Sequence, residues 1–327
     1  MAPEICRTVI GWRWPCRSAL VCSRPPCPTA PTTSTDTRCR LSIGSPARAA
    51  RVAHESRDVP SRPPPGRAER EARRESRRER VDEEVVMNER RVEITAEDGR
   101  IPTFVAWPDG EGPFPVALVL MDGMGIREEL RDLTRRLSSS GYYAMLPDLY
   151  YRLGAASTIE SGKSGEWDRM VSLIKSLSDE MVIRDVEALL EYADADPAAA
   201  DGAAGILGFC MGGRLALALC QGLGRRIAAA AAIHPGLEKD ADDSAHRDLD
   251  RVSAELYLAI ADQDPWCSPE QVSEMEKVLV DAGVPHEIEF HPGAPHGFGV
   301  PGSGRYDERA AERAWKRVEA LFSKTLG

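Results

Sequence analysis

Cys210 stands in the run Gly208-Phe209-Cys210-Met211-Gly212-Gly213, where an apolar strand-like segment passes directly into a helix-like one. That is the arrangement of a nucleophile elbow with cysteine at its apex. A side chain presented on so sharp a turn needs glycine two positions to either side, so that the neighbouring backbones can approach. The start of a helix also favours a thiolate over a thiol. The competing reading is a small buried residue whose glycines serve only close packing. Cys220, inside the apolar run LeuAlaLeuAlaLeuCys, fits that second description, and Cys267 reads as a loop residue.

A thiolate attacking a carbonyl needs a base and a group to orient the base, and in an elbow fold these follow in the order nucleophile, acid, histidine. Asp262 and Asp264 both follow the apolar run 255–260, and Asp264 lies deeper in its loop, before ProTrp, which leaves Asp262 as a turn or surface residue. His286 and His291 bracket the last strand-like run. His296 lies beyond it in GlyAlaProHisGlyPheGly, where the base belongs, while His234 at a strand end before ProGly reads as structural. The oxyanion hole is expected from the N–H of Met211 and that of Gly123, in the loop after the run 115–121. Asp122 in that loop is expected to point toward the elbow, where a carboxylate would raise the thiol's pKa or compete for its proton.

These residues need a mainly parallel sheet flanked by helices, and from residue 87 onward short apolar runs alternate with amphipathic stretches accordingly. Runs 91–95 and 103–107, with AspGly at 98–99 as the turn, predict an antiparallel opening. Runs 115–121, 142–147, 205–209, 227–233, 255–260 and 286–290 predict the remaining strands. Helices are predicted from EELRDLTRRL, from one long region at 167–195, from 211–223, after a capping box at 268–271, and from AERAWKRVEALF near the end. The Gly- and Ser-rich stretch 150–166 is long enough to cap the site, or to be an inert loop. The fold class is therefore α/β, as one α/β-hydrolase domain over 87–327.

Residues 1–86 differ in kind. They hold 17 Arg, no Lys and 11 Asp plus Glu, so the rest of the chain carries a net charge of −16 out of the total of −10. Runs such as SRPPPGRAEREARRESRRER bury too little apolar surface to fold, which predicts disorder, or a translated leader ahead of a true start at Met87. The acidic remainder repels phosphate backbones and anionic lipid surfaces, so neither nucleic acid nor membrane is the expected partner. No apolar stretch is long enough for a membrane span, and the first residues are too often broken by Arg for a secretory signal, so the expected location is the cytoplasm. The five cysteines before residue 40 form no CxxC pair and no disulfide framework, and no metal or organic cofactor is expected. A small-molecule ester or lactone, met by a monomer or small homo-oligomer, fits best. Acyl transfer to another acceptor, or a degenerate hydrolase that only binds a ligand, are the alternatives.

The motifs LeuMetAspGlyMetGlyIle (120–126), LeuProAspLeuTyr (146–150), GlyPheCysMetGlyGly (208–213) and ProHisGlyPhe (295–298) resemble those of the dienelactone hydrolases, or carboxymethylenebutenolidases, over nearly all of residues 88–327. The resemblance implies a triad of Cys210, Asp264 and His296, a carboxylate at Asp122 that partners the resting thiol, and hydrolysis of a lactone or ester through a thioester. Two positions depart from that pattern. The carboxylate at 122 is typically Glu, and the arginine four residues after the histidine is Val300 here. Arg127, Arg152, Arg169 and Arg214 are the candidates to replace that anion clamp.

Overall fold

The computed structural model describes residues 87–327 apart from 155–157, 161, 238–248, 250 and 251, so the expectations for residues 1–86 lie outside the described residues. Its frame is one eight-stranded sheet. In chain order the strands are β1 (Met87–Ala96), β2 (Gly99–Pro108), β3 (Val116–Leu120), β4 (Tyr143–Pro147), β5 (Ala204–Phe209), β6 (Ile227–Ile233), β7 (Glu255–Gln263) and β8 (His286–Pro295). They lie side by side as β1-β2-β4-β3-β5-β6-β7-β8. The β1–β2 and β2–β4 pairs are antiparallel and every later pair is parallel.

Burial explains the composition of the strands. β3, β5 and almost all of β6 are buried, which is why VALVL, AGILGF and IAAAAAI carry no charge. Edge strand β1 mixes exposed with half-buried positions instead, and only Ile94 is fully buried. The helices are α1 (Glu128–Ser139), α2 (Glu166–Lys175), α3 (Asp179–Asp194), α4 (Met211–Leu223), α5 (Pro269–Ala282) and α6 (Glu308–Thr325). α1 and α6 meet where Arg136 lies over the Trp315 ring, and Trp315, Val318 and Phe322 turn the apolar stripe of α6 to the core. The Ser268–Gln271 capping box at the start of α5 is formed in both directions.

Three elements differ from expectation. The single helix over 167–195 is two, because Ser178 caps a new helix by accepting a hydrogen bond from the Met181 N–H. The first hairpin turns on Glu97 and Asp98, since Gly99 already pairs with Ala96. Strands β7 and β8 run past their apolar cores to a shared rung between Gln263 and Pro295. That last difference places the site, because both chains leave the sheet side by side.

Candidate functional site

Cys210 follows the last residue of β5 and precedes the first of α4. Its N–H donates to the Ile233 carbonyl at 3.0 Å, the final rung toward β6. Its backbone then turns to φ 53°, ψ −113°, a strained region for a residue with a side chain. The glycines permit this. A Cβ on Gly208 would lie 2.1 Å from the Gly212 carbonyl oxygen, and one on Gly212 would lie 2.5 Å from that of Leu120. The elbow therefore packs backbone to backbone against both its own strand and β3. Met211 opens α4, so its N–H has no intrahelical acceptor.

Asp264 and His296 are the first residues after β7 and β8. His296 Nδ1 is 2.6 Å from Asp264 Oδ2, and His296 Nε2 is 3.1 Å from Cys210 Sγ. Asp264 Oδ1 accepts from the Trp266 N–H at 2.9 Å, so both carboxylate oxygens are committed and the ring is held in one orientation. Burial by itself opposes charge on His296. The hydrogen bonds with Asp264 and Cys210 and the electrostatic effect of both neighbours outweigh it and push the imidazole's pKa up to about 10. The Trp266 ring closes one side of His296, 4.7 Å away edge to face, and His234 the other at 5.1 Å.

The loop after β3 contributes Asp122 and Gly123. The hydrogen bonds of Asp122 go to Arg127 and the Met124 N–H, and among the described residues the thiol's hydrogen bond is to His296. The Asp122 carboxylate is gripped from both sides by Arg127, at 2.7 and 2.8 Å, and also accepts from the Met124 N–H at 3.0 Å. The pair is about nine-tenths buried on both sides. Its geometric effect is to clamp the turn that carries Gly123. Tyr150, which the motif LeuProAspLeuTyr contained without any role attached, supplies a second clamp. Its buried hydroxyl donates to the Gly123 carbonyl at 3.2 Å and lies 3.4 Å from Met211 Sδ, so one side chain ties together the two residues expected to bind an oxyanion. Burial pushes that hydroxyl's pKa far up, so it stays a donor.

The four arginines are held elsewhere than on an open anion site. Arg127 pairs with Asp122, Arg152 with Asp185 and Asp98, Arg169 with Glu166, and Arg214 with Asp179. Guanidinium groups so close to carboxylates satisfy each other, and none is left to act as the expected clamp. Val300 is fully buried, in line with its apolar character. Asp262 is exposed and ties β7 to β8 through the Gly293 N–H. Cys220 and Cys267 are buried, and burial pushes both thiols up to about 12. The stretch 150–166 is joined to the loop after β3: the Ile159 N–H donates to Met124 O, and Thr158 Oγ1 to Ile126 O. Among the described residues no three His, Cys, Asp or Glu side chains gather as metal ligands do, and no helix is long and apolar enough to cross a membrane.

With this geometry in place, comparison with known proteins identifies the lineage. The model of the dienelactone hydrolase family matches residues 101–326. The chain belongs to the dienelactone hydrolase family. A relative from Synechocystis sp. named "Putative carboxymethylenebutenolidase" is 29% identical over 239 residues, which is 72% of this chain and 96% of the relative. A relative of the same name from Escherichia coli K12 is 27% identical and is covered over 86% of its length. Among solved structures, a so-qualified dienelactone hydrolase from Klebsiella pneumoniae aligns with TM-score 0.67 at 24% identity, covering 73% of this chain and 99% of that one. A dienelactone hydrolase-like promiscuous phosphotriesterase, P91, from metagenomic libraries aligns with TM-score 0.63 at 21% identity, covering 74% and 99%. The protein is thus a dienelactone hydrolase-type hydrolase on the α/β-hydrolase fold.

Proposed function

We propose that this dienelactone hydrolase relative cleaves a small ester or lactone with Cys210 as nucleophile, His296 as general base and acid, and Asp264 as the group that orients His296. The observation that carries the reading is the continuous line from Asp264 through both ring nitrogens of His296 to Cys210 Sγ, at 2.6 and 3.1 Å. The sulfur, its proton held on His296, attacks the carbonyl carbon. The oxygen becomes negative and meets the Met211 and Gly123 N–H groups. Collapse breaks the bond to the leaving oxygen, which takes the proton from His296 Nε2 and departs as an alcohol. His296 then removes a proton from water, which attacks the thioester and frees the acid and the thiolate. No cofactor enters this cycle.

The test is turnover of methyl acetate and of a simple lactone by the full chain and by Cys210→Ala, with mass spectrometry of the quenched wild-type reaction. Loss of turnover in the variant, with an acetyl adduct on the peptide containing Cys210, is the expected result. Turnover that persists in the variant would sink the reading.

A further inference from the structure

Helix α2 presents one face to the site. Trp167, Met170 and Ile174 recur at the three- and four-residue spacing that aligns side chains on a helix. Ile174 and Met170 lie against Gly123, so closely that a Cβ there would be 2.7 Å from Ile174 Cδ1 and 3.4 Å from Met170 Cγ. One turn earlier, the Trp167 ring stands 6.0 Å from that of Trp266, which itself abuts His296. The face thus runs from Gly123, the expected oxyanion donor, to Trp266 beside His296, and the side chains of Trp167, Met170 and Ile174 carry no charge. The charged neighbours Glu166 and Arg169 point to each other. Trp167 is 47% exposed, an apolar ring left uncovered at the edge of a site.

We propose that this face of α2, completed by Trp266, is the substrate-binding wall, and that it selects neutral esters with a flat aromatic alcohol part and a small acyl part. The assignment rests on the Cys210 hydrolase reading and adds the substrate class. Direction follows from the chemistry. The leaving oxygen must face His296 Nε2 to take its proton, so the alcohol part lies along Trp266 and Trp167. The carbonyl oxygen must face Gly123, against which Met170 and Ile174 pack, so the acyl part lies toward these two side chains and a small one is favoured. A ring laid on the exposed face of Trp167 gains stacking that an alicyclic ring of the same size does not. A carboxylate there would lie against apolar side chains, and Arg127, Arg152, Arg169 and Arg214 are each already paired with a carboxylate of the protein.

The experiment compares kcat/KM of the full chain on benzyl, cyclohexylmethyl, 4-carboxybenzyl and methyl acetates, whose leaving alcohols are of similar acidity. It repeats the series on Trp167→Leu and Trp167→Phe, with Cys210→Ala as the blank. Benzyl acetate is expected to exceed cyclohexylmethyl acetate by about tenfold and 4-carboxybenzyl acetate by more, the ratio a stacking difference of that order produces. Trp167→Leu should cut the benzyl-to-methyl ratio about fivefold through KM, with Trp167→Phe keeping most of it. Equal rates on benzyl and cyclohexylmethyl acetates, efficient use of the carboxybenzyl ester, or an unchanged ratio in Trp167→Leu would overturn the wall while Cys210-dependent methyl acetate turnover kept the hydrolase reading. Absence of Cys210-dependent turnover on all four esters would overturn both.

Discussion

Gln263 and Pro295 are cross-strand partners on the last rung between β7 and β8. The next residue on each strand is therefore placed beside its counterpart, and these residues are Asp264 and His296. Their 2.6 Å contact is a product of strand register more than of loop conformation. Groups held on strand ends keep their geometry when one atom is exchanged, which makes the orienting role of Asp264 separable from its structural one. Asp264→Asn should preserve the fold and leave the ring in the wrong tautomer, with kcat falling about a thousandfold or more at neutral pH. Steady-state kinetics on methyl acetate, with circular dichroism as the control, provides the check. A loss below about tenfold would mean that the carboxylate does not set the tautomer.

The raised pKa of His296 also has a thermodynamic consequence. The group binds its proton more tightly in the folded chain than in the unfolded one, so its stabilisation is complete below the unfolded value near 6.5 and is lost as pH rises through about 10. Wild type should lead Asp264→Asn in unfolding free energy by most at pH 6, and the lead should shrink between pH 6.5 and 10. Urea titrations of both proteins across that range measure it. A lead that grows with pH would contradict the ion pair.

Thiol chemistry separates an activated cysteine from buried ones. Cys210 is partly exposed beside His296, whose pKa is raised, whereas burial holds Cys220 and Cys267 at about 12. Iodoacetamide at pH 7 should label Cys210 first in the native protein, by a wide margin, and His296→Ala should remove most of that lead. Peptide mapping after timed quenches reads the three sites at once. Comparable labelling of all three would favour a site that only binds.

The elbow was legible because sterics leave few ways to write it: an apolar strand, a residue at the apex, and glycines where backbones touch. The central strands were legible for a related reason, since burial on both faces excludes charge over 227–233 and 205–209. What stayed hidden depended on side chains meeting across the fold. Nothing in the spacing of Asp122 and Arg127 announces the two-pronged buried pair that they form. Tyr150 could be read as part of a motif but not as a bridge between Gly123 and Met211. The α2–α3 break did leave a trace, in Ser178 ahead of Asp179 and Glu180, which the continuous helical periodicity over 167–195 obscured.

The Asp122–Arg127 pair is buried enough for the loss of one partner to matter. Arg127→Leu strands a carboxylate in the turn before Gly123, and should cost about 3 kcal/mol of stability, the scale expected for a buried charge left unpaired. The double variant Asp122→Asn with Arg127→Leu should recover much of that loss, since no full charge then remains unmatched. Chemical denaturation of the single and double variants settles the coupling. Identical stabilities for the two would mean that the charge pairing is incidental to the fold of this loop.

Tyr150→Phe tests the other clamp with the smallest change available. The ring stays and the fold with it, while the hydroxyl that spans the Gly123 carbonyl and the Met211 thioether is removed. A buried neutral hydrogen bond is worth about 1 kcal/mol, so if all of it serves to hold the oxyanion donors in place, kcat should fall about fivefold. KM should move little, because the lost contact touches neither part of a bound ester. The alkylation rate of Cys210 should also stay put, since the thiol and His296 are untouched. A rise in KM with kcat unchanged would assign Tyr150 to the binding wall instead, and a parallel drop in alkylation would show that the elbow itself had moved.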